Sequence, residues 1–116
     1  MHELAVTKSI LQLVLDETEK NQAKEILKIQ LVIGEMRNLE EEWIQRYFDY
    51  ISKGTIAEHA VIKVRKVPVL FECKLCGEKF SADVHLEEKI LCPKCKGFDY
   101  DLVAGRELVI ENIEVR

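Results

Sequence analysis

From Leu4 to about Asn21, the apolar residues Leu4, Val6, Ile10, Leu11, Leu13, Val14 and Leu15 recur with helical spacing. At about 100° per residue they cover about half of a helical wheel, which predicts a helix that packs on more than one side. Leu27, Ile29, Leu31 and Ile33 then alternate with Lys28, Gln30 and Val32, a period of two that predicts a strand closed by Gly34. Asn38 followed by Glu41 has the form of a capping box, with Glu40, Glu41 and Glu42 in the first turn of a second helix, where the helix dipole favours acids. Leu39, Trp43, Tyr47 and Ile51, flanked by Ile44 and Phe48, form the apolar stripe of that helix, and Lys53-Gly54 closes it. Val61 to Val67 reads as a second strand, stopped by Pro68. Arg106 to Val115 reads as a last strand. Its apolar residues change phase, from Leu108 and Ile110 to Ile113 and Val115, the mark of a bulge or twist near Glu111-Asn112.

The stretch 69–103 follows neither period. It carries four cysteines in two pairs, Cys73-x-x-Cys76 and Cys92-x-x-Cys95, with Gly77 and Gly97 close behind each pair. Two residues between thiolates let a tight turn aim both sulfurs at one ion, and glycine permits the positive φ that such turns often need. Fifteen residues separate Cys76 from Cys92, within the spacing of a four-cysteine zinc site. Four thiolates fill a tetrahedral shell and leave no position for water, so the site should be structural. The alternatives are two disulfides or unrelated buried thiols. A segment of this size is too small to bury a self-sufficient core, so its folding should depend largely on the metal.

A lone C-terminal strand is unstable and should return to the first sheet. The expected fold is α+β, with two helices on a small mixed sheet built from residues 1–68 plus 104–116 and an inserted zinc-ribbon-like module over 69–103. Length fits one domain with a small module, and 47% hydrophobic with 33% charged residues describes an ordinary globular chain. There is no basic-then-apolar leader and no run of the ~18 apolar residues that would span a bilayer. Thiols without an export signal point to the cytoplasm. A net charge of −4 gives no electrostatic reason for nucleic-acid binding. No Gly-rich phosphate loop and no nucleophile with an evident base are present, so no enzymatic activity is expected.

A second chemical signal is Met1-His2-Glu3. A free α-amine, the next peptide nitrogen and the His2 imidazole can wrap one ion in fused chelate rings. Planar nitrogen donors suit Ni(II) or Cu(II) rather than zinc. The opening Met-His-Glu-Leu-Ala-Val-Thr-Lys-Ser-Ile, the strand ending Val32-Ile33-Gly34 and the paired knuckles together resemble the HypA family, over essentially the whole chain. That resemblance implies a nickel metallochaperone for NiFe hydrogenase maturation, with a nickel domain, a zinc domain, a HypB-type GTPase partner and the hydrogenase large subunit as client. It places the transported Ni(II) on His2 and Glu3 with the Met1 amine, and a structural Zn(II) on Cys73, Cys76, Cys92 and Cys95.

Glu40 can supply an oxygen to nickel if the start of the second helix lies near the N-terminus, although capping already accounts for it. His85 can reach toward the same ion, or be a solvated loop residue. His59 has no evident chemistry, and Trp43, Tyr47 and Phe48 read as core. The competing reading is a zinc-ribbon adaptor that binds protein or RNA without nickel, and the chain is expected to be a monomer or a weak homodimer.

Overall fold

The first periodic segment forms helix α1, Glu3–Lys20, in the computed structural model, which describes residues 3–84 and 89–116. Its buried residues are Glu3, Thr7, Ile10, Val14 and Thr18, spaced three or four apart on a single face. Packing on more than one side is not observed, because α1 lies against the second helix and touches the sheet at its margin, which leaves Leu4 and Leu13 exposed. The buried threonines satisfy their hydroxyls within the helix: Thr7 Oγ1 donates to the Glu3 carbonyl and Thr18 Oγ1 to the Val14 carbonyl.

Strand β1, Ile26–Gly34, buries Ile29, Leu31 and Ile33 as the alternation predicts. At its start Ile26 rather than Leu27 takes the inward place. The Ile26 amide donates to the Ile56 carbonyl at 2.9 Å, and that bond holds the residue in the interior.

Helix α2 spans Glu41–Ile51, and the expected capping box does not form. Asn38 lies in the left-handed region at φ 52, and Glu40 sits at the N-cap without a side-chain cap bond. The Glu40 amide donates instead to Glu3 Oε2 at 3.4 Å, while Glu41 Oε2 accepts from the Val64 amide at 2.7 Å. The buried stripe is also turned by one residue. Ile44, Phe48 and Leu39 are buried, whereas Trp43 is 41% exposed. Trp43 and Tyr47 stack at a centroid distance of 5.9 Å, with the Arg46 guanidinium 5.1 Å from the Trp43 ring. Amphipathic rings with a cation beside them are stable at the rim, so Ile44 and Phe48 take the dry positions.

Strand β2 is Val61–Val67, followed by β3 Leu70–Cys73, β4 Lys79–Phe80, β5 Tyr100–Ala104 and β6 Leu108–Val115. One sheet has the order β2-β1-β6, so the last strand does return to the first sheet. It runs antiparallel to β1, with the Gly34 amide bonded to the Glu107 carbonyl at 2.7 Å at one end and the Arg116 amide to the Glu25 carbonyl at 2.8 Å at the other. The half-buried residues of β6 are Leu108, Ile110 and Ile113, so the phase change read from the sequence holds as far as Ile113, while Val115 is exposed. The second sheet has the order β4-β3-β5, antiparallel throughout, pairing Phe71 with Phe80 and Cys73 with Tyr100.

Two compact units result: residues 1–32, 38–65 and 108–116 form one, and residues 33–37 and 66–107 form the other. Within the second, a Cβ on Gly34 would fall 2.0 Å from the Gly105 carbonyl carbon, so only glycine fits there.

Candidate metal centres

Both cysteine knuckles are shaped by the same pair of backbone bonds. The Cys73 amide donates to Glu78 O and the Gly77 amide to Cys73 O; the Cys92 amide donates to Gly97 O and the Lys96 amide to Cys92 O, all at 2.8–2.9 Å. The repeated geometry buries the first cysteine of each pair, Cys73 and Cys92, and leaves Cys76 half-buried and Cys95 exposed. Gly77 takes the positive φ expected of it, at 80°. In the second knuckle Lys96 takes it instead, at 64°. A Cβ on Gly97 would lie 2.7 Å from Leu75 Cδ1, the end of an exposed side chain that can turn aside, and 3.2 Å from Cys95 Sγ.

The four Sγ atoms lie within 4.8 Å of one another. Cys73 and Cys95 are 3.5 Å apart, as are Cys76 and Cys92, and all four are free thiols. Thiolates about 2.3 Å from a zinc ion at tetrahedral angles stand about 3.8 Å apart. The set therefore fits one tetrahedral ion. Crowded thiols in turn perturb one another. Bonds from the Cys95 and Lys94 amides, with Cys76 and Cys95 as neighbours, bring Cys92 down to about 7. At Cys76 the Glu78 amide lowers the pKa, but burial and the thiols of Cys92, Cys73 and Cys95 outweigh it and push the group up to about 12. Cys95 is also raised: the Gly97 amide pulls down, and the Cys73 thiol with desolvation pushes up. Sulfurs held this close cannot all ionise without a cation among them.

Behind the knuckles is an aromatic group that the sequence reading missed. Phe71, Phe80 and Tyr100 meet at centroid distances of 5.5, 4.9 and 5.6 Å. They pack with Val69, Cys73 and Cys92, and Tyr100 Oη donates to the Ile90 carbonyl at 2.9 Å. The available signal was Phe71 standing two residues before Cys73, the spacing that puts both side chains on one face of a strand.

At the other candidate centre, Met1 and His2 lie outside the described residues, as does His85. Glu3 is described. It is 4% exposed, its Oε2 receives the Glu40 amide, and its Oε1 has no hydrogen-bond partner among the described residues. A buried carboxylate oxygen without a partner is costly unless a donor or a cation meets it. The same bond brings the start of α2 to the start of α1, the condition under which Glu40 was weighed as an oxygen donor. His59 is exposed, 3.9 Å from Glu58.

Among the described residues no helix is long and apolar enough to cross a membrane. The family model described as "Hydrogenase/urease nickel incorporation, metallochaperone, hypA" matches residues 1–115. The hydrogenase maturation factor HypA of Dehalococcoides mccartyi (strain ATCC BAA-2266 / KCTC 15142 / 195) is 37% identical over 115 residues, covering 99% of this chain and 94% of the relative. That of Methanothermobacter thermautotrophicus is 37% identical over 119 residues, covering 99% and 97%. The solution structure of the Ni metallochaperone HypA from Helicobacter pylori superposes with a TM-score of 0.66 at 25% identity, covering 99% of this chain and 97% of that one.

Proposed function

The chain belongs to the HypA family of hydrogenase/urease nickel incorporation metallochaperones, and we propose that it binds Ni(II) at its N-terminus and delivers it for insertion into NiFe hydrogenase. The observation that carries this reading is the family match over residues 1–115, which includes Met1-His2-Glu3. The buried Glu3 carboxylate, with one oxygen that has no partner among the described residues, supports it. Nickel is cargo here. The Met1 amine, the adjoining peptide nitrogen and the His2 imidazole supply nitrogen donors, and Glu3 adds a negative oxygen anchored at the start of α1. A terminal site suits a carrier, because chain ends are the least restrained part of a domain and a partner can dismantle them.

Cys73, Cys76, Cys92 and Cys95 hold a structural Zn(II) in this proposal, with 69–103 as the zinc-binding module and 1–68 plus 104–116 as the nickel-binding domain. The role is selective binding and transfer rather than catalysis. Its setting is the cytoplasm, with a HypB-type GTPase and the hydrogenase large subunit as partners.

Equilibrium dialysis against nickel, comparing wild type with His2→Ala, tests the reading. His2→Ala should keep its zinc and its helical signal while losing high-affinity nickel binding. In cells at trace nickel it should accumulate hydrogenase lacking nickel, partly restored by excess nickel in the medium. Equal nickel binding by the two proteins would remove the N-terminal site and favour a zinc-ribbon adaptor.

A further inference from the structure

Asn38 does not cap α2, and among the described residues its side chain has no hydrogen-bond partner. Its contribution is conformational. It stands in the left-handed region at φ 52, between the short 3-10 helix Glu35–Arg37 and the buried Leu39. Few residues other than glycine adopt that conformation, and asparagine is among those that tolerate it best. The reversal at Asn38 returns the chain to extended backbone at Glu40, φ −99 and ψ 127, where α2 begins. Leu39, 4% exposed, anchors the bend in the core. The Glu40 amide is thereby presented to Glu3 Oε2 at 3.4 Å.

Glu3 is held from two directions. Thr7 Oγ1 donates to its backbone carbonyl within α1, and the Glu40 amide occupies one carboxylate oxygen from the start of α2. The amide end of a helix attracts a carboxylate, which adds to the hold. The residue is buried, and its Oε1 has no partner among the described residues. A buried carboxylate oxygen in that state is a cost in the metal-free protein. It becomes an advantage when a cation arrives, because the ligand is already ordered and binding need not order it.

We propose that Asn38 is a positioning residue for nickel: its left-handed backbone sets the Glu40 amide on Glu3 Oε2 and so keeps Glu3 Oε1 in place for the ion. Asn38 is not itself a ligand; it acts through the Glu40 peptide. The proposal rests on the reading of Met1-His2-Glu3 as the nickel site.

Calorimetric titration of nickel into the zinc-loaded full chain, with Met1 as its first residue, tests it. Asn38→Gly reaches positive φ without strain and should bind nickel as wild type does. Asn38→Val cannot hold φ 52 without strain, so its turn should relax and carry the Glu40 amide off Glu3. Its nickel affinity should fall about tenfold, the size of the left-handed strain that binding would then have to restore. Zinc content and helical signal should be unchanged in both. Ile26→Val lowers stability through the core alone and should keep wild-type nickel affinity, which separates positioning from loss of stability. Glu40→Pro, which removes the amide proton, should bind more weakly than Glu40→Ala, which keeps it. Wild-type affinity in Asn38→Val, an Asn38→Gly protein as weak as Asn38→Val, or equal binding by the two Glu40 variants would overturn the proposal. Loss of nickel in His2→Ala beside an unaffected Asn38→Val would leave the N-terminal site standing and refute the role of Asn38 alone. Undiminished binding by His2→Ala would remove that site, and the proposal with it.

Discussion

In the unit formed by α1, α2 and the β2-β1-β6 sheet, the fully buried side chains are mostly aliphatic, among them Val14, Ile26, Ile29, Leu31, Ile44 and Ile62, joined by Phe48 and by the small polar Thr7 and Ser52. In the unit formed by β3, β4 and β5, the buried cluster is Val69, Phe71, Phe80, Cys73 and Cys92, so two of its five members are candidate metal ligands. The first unit is stabilised by apolar burial, at about 25 cal/mol per Å² removed from water. In the second, a metal held by Cys73 and Cys92 would be tied to the core itself, so its loss would disturb that core. Each region should therefore fail in its own way, under different insults.

Removing a ligand should give the largest effect. Structural zinc in small finger domains contributes about 10–16 kcal/mol near neutral pH, so Cys92→Ser should release the metal and unfold the second unit. The helices and the fluorescence of Trp43, which belongs to the first unit, should stay close to wild type. A Cys92→Ser protein that kept native protection around β3 and β5 would break the contrast.

Next in size is a cavity in the aliphatic core. Phe48→Ala removes a fully buried ring from α2 and should cost about 3–5 kcal/mol. Trp43 emission should then report unfolding at lower temperature while metal analysis still returns one zinc per chain. If zinc were lost at the same midpoint, the two units would be one cooperative block.

Acid should separate the units more gently. With Cys76 pushed up to about 12 and Cys95 raised as well, both are neutral thiols near pH 7, so loading one zinc must expel at least two protons. Protons then compete with the ion, and zinc affinity should fall about a hundredfold for each unit the pH drops through neutrality. Calorimetry in buffers of different ionisation enthalpy counts the released protons, and a count below two would contradict the coupled-thiol picture.

The smallest structural effect should come from Glu3→Gln. The amide oxygen can still accept from the Glu40 N–H, so stability should change by no more than about 1 kcal/mol. Nickel affinity should fall by about tenfold or more, since a hydrogen bond to a charged group or a charge-assisted ligand contributes well over 1 kcal/mol. Zinc content should not change. Unaltered nickel binding would confine Glu3 to joining the two helix starts.

How much of this was legible beforehand depended on how local each feature is. The cysteine pairs were plain because both thiols of a knuckle are set by a few adjacent residues, and the strand Ile26–Gly34 was plain because alternation repeats at short range. The capping box was misread because its test is a bond: Glu41 finds the Val64 amide, and the Glu40 amide finds Glu3, both far away in sequence. The α2 stripe was misplaced by one residue because Trp43 and Ile44 are adjacent on the wheel. Periodicity cannot say which of the two the rest of the fold will cover.

By itself, then, the sequence determined the order of the two helices and of the three strands of the first sheet, and the spacing of four thiols, all properties of short segments whose chemistry does not depend on distant residues. Only the tertiary structure decided that Cys73 and Cys95 come within 3.5 Å across twenty-two positions, that the positive φ of the second knuckle falls on Lys96 rather than on Gly97, and that Glu3 is buried with one oxygen unpartnered among the described residues. Each of these turns on which groups from far-apart segments compete for the same space or the same hydrogen bond, and that competition is settled only when the chain has closed on itself.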